Sequence, residues 1–290
     1  MGIDIKTVMK KFNIRPIKSL GQNFLTDDSV IERIVDVADV RDTDLVLEIG
    51  AGLGNMTAEL ASRAGYVVAV ELDRYLIPVL NENLGNFKNI SILNKDVLEL
   101  DIDREVREIP AIIESGFKPG AFKIVANLPY YITTPVIMNL LEKDISADRM
   151  VFMVQSEVAD RMAAKPGGKT YGALSVAVQY YSRPEKVFEV PPDCFIPQPG
   201  VYSSVVRLDI FVTPPVQLKD KELFFKTVKA SFGQRRKTLV NALYNSGYFN
   251  ISKEEIREIL INIGIGEKQR GETLSIMQFA ELANCIFSKK

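Results

Sequence analysis

Residues 45–54 read Leu-Val-Leu-Glu-Ile-Gly-Ala-Gly-Leu-Gly, an apolar run that passes directly into a glycine-rich turn. Residues 45–49 predict a buried strand, and residues 55–63 show the apolar spacing of a helix. Glycines at this point let the backbone approach a ligand at the carboxyl edge of a sheet, beside a helix amino terminus. The stretch predicts the first strand–turn–helix unit of an α/β fold, although a glycine turn alone is equally compatible with a tight turn that binds nothing.

Similar apolar runs recur along the first two-thirds of the chain and alternate with helical patterns such as residues 74–83. They predict further strands at residues 66–71, 90–93, 122–126 and 150–154. Strands that alternate with helices pair in parallel and form a sheet covered on both faces. The runs at 186–190 and 204–210 have no clear helix between them, so they predict an antiparallel edge.

The segment Thr213-Pro214-Pro215-Val216 interrupts this pattern and is the best candidate for a linker. Beyond it, the apolar spacing predicts helices and no strands, at residues 222–230, 235–244, 252–261 and 275–287. Ser252 with Glu255, and Ser275 with Gln278, have the spacing of a capping box. We therefore expect two domains: residues 1–212, an α/β domain with a basic N-terminal segment, and residues 213–290, a small all-helical domain.

The composition excludes several classes of protein. The 290 residues include 36 Lys and Arg, 37 Asp and Glu, two cysteines and no histidine. Without histidine there can be no Ser-His-Asp triad, no histidine-ligated zinc and no imidazole base. No apolar run reaches the ~18 residues of a membrane span, and the charged N-terminal stretch lacks the apolar core of a signal peptide. We expect a cytoplasmic monomer with no metal and no membrane association.

Acidic residues follow two of the predicted strands. Glu71 ends the second strand, where a carboxylate can accept hydrogen bonds from both hydroxyls of a ribose. Asp96 lies just past the third strand and can accept from an adenine amine. Position 55 is asparagine where the dinucleotide fingerprint requires glycine, which favours a nucleoside cofactor without pyrophosphate, most commonly S-adenosyl-L-methionine. The candidate cofactor-binding residues are Gly50, Gly52, Gly54, Glu71 and Asp96; the alternative is that both acids are solvated residues at strand ends.

Asn127-Leu128-Pro129-Tyr130 directly follows the fourth predicted strand. Pro129 disfavours helix at Leu128, which keeps that residue extended with its carbonyl free. This carbonyl and the Asn127 side-chain oxygen could accept both hydrogens of an amino group on a flat base, while Tyr130 stacks on the ring. Stacking is worth ~1–3 kcal/mol per base, and extruding a base costs a few kcal/mol. The four residues are equally compatible with a proline turn and a core tyrosine.

Two basic clusters stand out in a chain of net charge −1. Residues 1–26 hold five basic residues against one acidic residue, and residues 221–241 hold six against one. Charge runs are usually solvated faces, but two clusters that flank a base pocket favour contact with RNA phosphates. The candidate RNA-binding residues are Lys10, Lys11, Arg15, Lys18, Arg235, Arg236 and Lys237.

Taken together and in this order, the motifs resemble the ribosomal RNA small subunit methyltransferase A family over nearly the whole chain. The resemblance rests on Gly21-Gln22-Asn23-Phe24-Leu25, Glu48 to Gly54, Glu71-Leu72-Asp73, Asp96, Asn127 to Tyr130, Val190-Pro191-Pro192, Phe195-Ile196-Pro197 and Phe232 to Leu239. The Gln-Asn-Phe-Leu and Gln-Arg-Arg-Lys segments are the discriminating ones, because many methyltransferases share the glycine loop.

The resemblance implies a class I methyltransferase fold. It also implies dimethylation of two adjacent adenosines in the 3′-terminal hairpin of small-subunit ribosomal RNA, during subunit biogenesis. Carried over by position, Asn23, Leu25 and Asn127 join the cofactor site. Phe195 is expected either as the second face of the base pocket or as a core residue. The family usually continues with Lys-Val-Asp-Ser after its Phe-x-Pro segment, whereas this chain has Gly200-Val201-Tyr202-Ser203.

Three other functions are compatible with parts of the pattern. Macrolide-resistance methylases, which modify an adenine of the large subunit, resemble the catalytic domain but are less similar in the helical domain. A non-catalytic ribosome-assembly factor would keep the pocket only as a scaffold. A nicotinamide dehydrogenase is disfavoured by Asn55 and by the lack of an evident proton donor near the glycine loop.

Overall fold

The computed structural model describes residues 3–106, 108–114, 117, 121–143 and 145–289. The chain forms two compact units. The first consists of Met1–Ala159 with Pro184–Ile210, and the second of Asp160–Arg183 with Phe211–Lys290. The division expected at residues 212 and 213 differs from this grouping at residues 160–183, which belong with the C-terminal helices, and at residues 211 and 212, where the boundary lies two residues earlier.

Seven of the described strands lie at the apolar runs that the sequence predicts, and two short ones, β1 and β8, were not predicted. Their bounds are β1 Phe24–Leu25, β2 Leu45–Ile49, β3 Tyr66–Glu71, β4 Ile90–Asn94, β5 Phe122–Asn127, β6 Arg149–Gln155, β7 Ser182–Val190, β8 Phe195–Ile196 and β9 Ser203–Ile210. Seven of them form one sheet in the order β4-β3-β2-β5-β6-β9-β7, and β1 pairs with β8. The neighbours from β4 to β6 are parallel, and β9 runs antiparallel to β6. The mostly parallel sheet with an antiparallel edge is thereby confirmed.

Helices connect the parallel strands and cover the sheet. The described helices are α1 Ile5–Lys11, α2 Asp28–Ala38, α3 Asn55–Arg63, α4 Ile77–Leu84, α5 Pro110–Glu114, α6 Thr133–Glu142, α7 Ser156–Met162, α8 Ala173–Tyr181, α9 Lys221–Gly233, α10 Leu239–Asn245, α11 Lys253–Asn262 and α12 Ile276–Phe287. Helices α2 and α3 share one buried cluster with alternate strand residues such as Val46 and Val125. Leu80 and Leu84 of α4 belong to another cluster with Ala69. Among the described residues, no helix has both the length and the apolar character to cross a bilayer.

The order of the strands creates a crevice at the centre of the sheet. The chain proceeds outward from β2 to β3 and β4, and then returns to place β5 on the other side of β2. In open α/β sheets, ligands bind at the carboxyl edge where the strand order reverses in this way. Gly50 directly follows β2, and Asn127 is the last residue of β5, so the two residues meet at this crevice. A Cβ atom on Gly50 would lie 3.6 Å from the Asn127 carbonyl oxygen.

The second unit is helical throughout its C-terminal part. Ser252 and Ser275 each accept a hydrogen bond from the backbone three residues later, and Glu255 and Gln278 bind back to them, so both capping boxes are confirmed. The helix predicted at residues 235–244 begins only at Leu239. The reason is local: α9 continues to Gly233, and residues 234–237 then form a turn in which the Lys237 amide donates to the Gln234 carbonyl at 2.8 Å.

Candidate active site

A cavity in the first unit opens at the carboxyl edge of the sheet, between the loops that follow β2, β3, β4 and β5. The N-terminal segment at residues 20–25 forms another side of it. The cavity is lined by seven of the predicted cofactor residues: Asn23, Leu25, Gly50, Gly52, Glu71, Asp96 and Asn127. The fold thus brings together residues that lie as much as 104 positions apart in the sequence.

The Glu71 carboxylate joins two of these loops. Its Oε2 accepts a hydrogen bond from the Gly52 amide at 2.8 Å, and its Oε1 accepts one from the Asp73 amide, also at 2.8 Å. Gly52 has a φ of 60°, a left-handed conformation that favours glycine. Burial raises the pKa of Glu71, and the two amide hydrogen bonds oppose that rise. Each oxygen keeps a further lone pair, so the carboxylate can still accept from hydroxyl groups in the cavity.

Gly54 has a different role from the one predicted. It is buried, does not line the cavity and has a φ of 93°. A Cβ atom here would lie 3.2 Å from both Leu80 and Leu84 of α4. Glycine at this position therefore permits the close packing of α3 on α4, and not the approach of a ligand.

Glu48 is a site residue that the sequence analysis did not select. It lies in the buried strand β2, is 1% exposed and lines the cavity. Neither oxygen of its carboxyl has a hydrogen-bond partner among the described residues, and the same holds for the hydroxyl of neighbouring Thr57. Burial raises the pKa of Glu48 to about 8; the Thr57 hydroxyl, which lies nearby but outside hydrogen-bond geometry, lowers it somewhat, and the negative charge of Glu71 raises it further. A single acidic residue inside the apolar run Leu-Val-Leu-Glu-Ile was the available signal.

Asp96 and the N-terminal segment complete the walls. Asp96 Oδ1 accepts from the Leu98 amide at 2.9 Å, which leaves Oδ2 to accept from a ligand. The side-chain amide nitrogen of Asn127 (Nδ2) donates to the backbone carbonyl of Asn23 at 3.3 Å. Gln22 in turn donates to Asp73 at 2.9 Å, so the N-terminal segment is fastened to both the β3 and the β5 loops.

The Asn127–Tyr130 segment has the geometry of an acceptor site. The Leu128 amide donates to Met153 in β6, whereas among the described residues no protein group donates to the Leu128 carbonyl. Tyr130 lines the cavity, and its hydroxyl lies 2.7 Å from the Ser203 hydroxyl. Burial raises the pKa of Tyr130. Tyr131 is 55% exposed at the cavity rim, where it packs against Gly21.

Phe195 lies in the core and not at the cavity. It is 1% exposed, pairs with Leu25 between β1 and β8, and belongs to the buried cluster that also contains Ile31 and Val125. Of the two roles that the sequence left open, the structure supports the core role. Its aromatic ring is not available to the described cavity as a second stacking face.

The predicted RNA-binding residues are exposed, but two of them are engaged with other protein groups. Lys11 forms an ion pair with Glu82. Arg235 donates to the carbonyls of Lys169 and Tyr171, at 2.8 and 3.1 Å, and lies 3.4 Å from a Glu272 carboxylate oxygen. These contacts fasten the turn after α9 to the segment 160–183. Within the described ranges no ion pair forms at Lys10, Arg15, Lys18, Arg236 or Lys237.

The residues of the cavity fit S-adenosyl-L-methionine. This cofactor carries ribose hydroxyls, an adenine amine, an ammonium group and a sulfonium centre, all of which are hydrogen-bond donors or cations. The walls offer acceptors to match, including the unpartnered Glu48 carboxyl and the free oxygen of Asp96. No group of three or more acidic or cysteine residues that could hold a metal occurs in the described part of the chain.

Comparison with known proteins agrees with this geometry. The family model described as ribosomal RNA adenine dimethylase matches residues 12–284. The chain is 48% identical over 284 residues to ribosomal RNA small subunit methyltransferase A of Alkaliphilus oremlandii, covering 98% of this chain and 96% of that protein. It is equally 48% identical over 284 residues to the protein of the same name from Clostridioides difficile, covering 98% and 95%.

Solved structures give the same fold. The 23S rRNA methyltransferase ErmE superposes with a TM-score of 0.68 at 26% identity, covering 91% of this chain and 100% of that one. A dimethyladenosine transferase from Plasmodium falciparum superposes with a TM-score of 0.74 at 23% identity, covering 89% and 95%.

The buried carboxyl of Glu48 predicts how the stability of the cofactor-free protein depends on pH. The unfolded chain releases this proton near pH 4.5 and the folded chain near pH 8. Between these values the folded state holds the additional proton, so the free energy of unfolding must fall as pH rises, by roughly 2–4 kcal/mol. Urea unfolding at pH 5.5, 7 and 8.5 should show this decline in the wild type and a flatter dependence in Glu48→Gln. The control is Glu222→Gln, which changes an exposed glutamate; equal pH dependence of the wild type and Glu48→Gln would contradict the prediction.

Proposed function

Because this chain belongs to the ribosomal RNA adenine dimethylase family, we propose that it methylates two adjacent adenosines in the 3′-terminal hairpin of small-subunit ribosomal RNA. The reaction transfers methyl groups from S-adenosyl-L-methionine to the exocyclic N6 amine, twice on each base. The names and identity of the relatives support this substrate. The observation in the structure that carries it is the free Leu128 carbonyl beside Asn127 and Tyr130, at the rim of an acid-lined cavity.

The cofactor supplies an activated methyl group on a positively charged sulfur. We assign its ribose to Glu71, whose carboxylate faces the cavity while the Gly52 and Asp73 amides hold it in position. Asp96 would accept from the adenine amine, and the backbone of Gly50 and Gly52 leaves room for close approach. Asn23 and Leu25 close the side formed by the N-terminal segment.

The target adenine would lie between Leu128 and Tyr130. Because the side-chain nitrogen of Asn127 donates to the backbone carbonyl of Asn23, the side-chain oxygen of Asn127 remains to accept a hydrogen bond from the substrate. This oxygen and the Leu128 carbonyl would take the two N6 hydrogens and reduce delocalisation of the nitrogen lone pair into the ring. Tyr130 would stack on the base, with its ring held by the hydrogen bond to Ser203.

Catalysis would then consist mainly of positioning. Asn127 and Leu128 would hold the N6 amine against the methyl group of the cofactor. The methyl would pass from sulfur to nitrogen as the sulfur–carbon bond breaks, and the amine would then lose a proton to solvent. A general base is not required for this order of events, which agrees with a chain that contains no histidine. Holding the two reacting atoms in line supplies the rate enhancement.

RNA binding is assigned to two basic surfaces, one in each unit. In the first unit, Lys10, Arg15 and Lys18 are exposed and lie in the segment that leads to the cavity wall. In the second unit, Arg236 and Lys237 are exposed in the turn that Arg235 fastens. We propose that the helical part of the chain, residues 213–290 together with the packed segment 160–183, binds the RNA backbone. We also propose that the protein acts as a cytoplasmic monomer on an immature subunit.

Mapping of the modified bases tests the proposed function. Labelled S-adenosyl-L-methionine is offered with undermethylated small subunits and, separately, with undermethylated large subunits. We expect two adjacent dimethyladenosines near the 3′ end of the small-subunit RNA. The fold similarity to a 23S rRNA methyltransferase makes a large-subunit adenine the second candidate. Label confined to the large subunit would establish that alternative, and the absence of label from both would indicate a non-catalytic assembly factor.

Asn127→Ala should reduce turnover far more than cofactor affinity. Loss of one preorganised polar contact to the reacting group typically lowers turnover by roughly 10²–10³-fold, whereas most cofactor contacts remain. Single-turnover methylation and calorimetric titration with S-adenosyl-L-methionine measure the two effects. Asn86→Ala, at an exposed asparagine, is the control. Equal losses in turnover and in affinity would count against the role of Asn127 in orienting the amine.

The double change Arg236→Gln and Lys237→Gln should lower the salt dependence of RNA binding. Each lost phosphate contact removes about 0.7–0.9 from the slope of log affinity against log salt, so two contacts remove about 1.4–1.8. Filter binding of small-subunit RNA over a range of salt concentrations gives the slope. The control Lys88→Gln changes an exposed lysine just before β4. This lysine lies at the amino ends of the parallel strands, whereas the cavity lies at their carboxyl ends. An unchanged slope in the double variant would show that Arg236 and Lys237 do not contact RNA phosphates.

A further inference from the structure

Tyr131 is an exposed aromatic residue at the rim of the cavity, and the proposed methyl transfer does not use it. The aromatic residues that line the cavity in the described part of the chain are Phe24, Tyr130 and Tyr131. Phe24 is 7% exposed and Tyr130 is half-buried, whereas Tyr131 is 55% exposed. The Tyr131 ring is therefore the aromatic surface at this cavity that is most open to a ligand arriving from solvent.

Tyr130 and Tyr131 are neighbours in the sequence, but their side chains reach different walls of the cavity. The Tyr130 hydroxyl lies 2.7 Å from the hydroxyl of Ser203, the first residue of β9. The Tyr131 ring lies against Gly21 in the N-terminal segment, where a Cβ atom on the glycine would be 3.1 Å from ring carbon Cδ1. The rim thus carries two aromatic surfaces at two walls, and a base stacked on Tyr130 leaves Tyr131 available.

The backbone that carries Tyr131 is held in a turn. The Pro129 carbonyl accepts a hydrogen bond from the Ile132 amide at 3.2 Å and another from the Thr133 hydroxyl at 3.0 Å. The contact with Gly21 supports the ring from one side. An aromatic ring held in this way loses little conformational freedom when it binds, which is the property of a preorganised contact.

A lysine lies on the same wall as the Tyr131 ring. Lys18 is exposed, and its backbone carbonyl accepts from the Gly21 amide at 3.0 Å, so it belongs to the turn on which the ring packs. Proteins that bind unpaired nucleotides combine aromatic faces, on which bases stack, with cations that follow the phosphates. Tyr131 and Lys18 supply both elements beside the entrance to the cavity.

We propose that Tyr131 stacks on the nucleobase adjoining the target adenine and positions the RNA strand at the cavity rim. This inference rests on the proposed function. When one base leaves the helix, its neighbour loses a stacking partner. An aromatic ring restores that contact with any of the four bases, because every base has a π-face. Since the two proposed target adenosines are adjacent, the base on Tyr131 would be one of them while the other occupies the pocket.

The test is the KM for undermethylated small subunits in the wild type and three variants of Tyr131. We expect Tyr131→Ala to raise KM by roughly 5- to 150-fold, the range that corresponds to loss of one stacked base, with kcat changed much less. Tyr131→Phe keeps the ring and should retain the wild-type KM. Tyr131→Leu keeps an apolar side chain against Gly21 but has no π-face, so it should be nearly as weak as Tyr131→Ala.

The matched control is Tyr75→Ala, which removes a tyrosine that is 69% exposed in the loop after β3 and does not line the cavity. Its KM should equal that of the wild type. Thermal melting and the Kd for S-adenosyl-L-methionine are measured for every variant. We expect both quantities to stay close to the wild-type values, because the proposed contact is made only with RNA.

The variants separate stacking from the other roles that the ring could have. An unchanged KM in Tyr131→Ala would overturn the inference and leave the proposed function intact. A wild-type KM in Tyr131→Leu would show that packing on Gly21 is sufficient, and an equal rise in Tyr131→Phe and Tyr131→Ala would show that the hydroxyl acts; either result would overturn the stacking role. A rise in KM accompanied by an equal loss of cofactor affinity would overturn it as well, because the ring would then support the cavity wall. Failure of the wild type to methylate small subunits would remove the proposed function, and this inference with it.

Discussion

The Glu71 carboxylate is the contact on which the candidate site depends. It accepts hydrogen bonds from the amides of Gly52 and Asp73, and so joins the loop after β2 to the loop after β3. A carboxylate that is 7% exposed is costly to bury unless it is well hydrogen-bonded, and two backbone donors reduce that cost. Asp73 then accepts from Gln22, which extends the same network to the N-terminal wall of the cavity. These hydrogen bonds thereby hold three walls of the cavity together.

The distribution of charge separates the two kinds of ligand. The buried cavity is lined by the Glu71 carboxylate, which favours cations and hydrogen-bond donors, and by the Glu48 carboxyl, which stays protonated near neutral pH and supplies a polar but uncharged group. Basic residues such as Lys18 and Arg236 are exposed outside it, where they favour phosphates. A cationic cofactor and a polyanionic substrate are therefore attracted to different places, although the net charge of the chain is only −1. The reacting amine would sit between the two regions, at the polar but uncharged Asn127–Tyr130 segment.

Much of the fold could be predicted from the sequence because its signals are local. Apolar runs such as residues 45–49 indicate buried strands, and the serine capping boxes mark two helix starts within one turn of the chain. Glycine and acidic residues at strand ends indicate the cavity, because the carboxyl ends of parallel strands converge on one edge of the sheet. Signals of this kind do not reveal packing partners. Glycine at position 54 looks the same in the sequence as glycine at position 52, yet one packs against α4 and the other faces the cavity.

The sequence by itself determined the fold class, the succession of most strands and helices, the family and ten of the residues that line the cavity. It did so because periodicity, turn residues and motif spacing act over short stretches of chain. Only the tertiary structure decided that Phe195 lies in the core, that Arg235 fastens a turn and that residues 160–183 pack with the C-terminal helices. It also decided that Glu48 accepts no hydrogen bond from any residue that the structure describes. Each of these properties is a contact, or the lack of one, between residues far apart in the sequence, and burial and hydrogen bonding at such distances are settled only when the chain has folded.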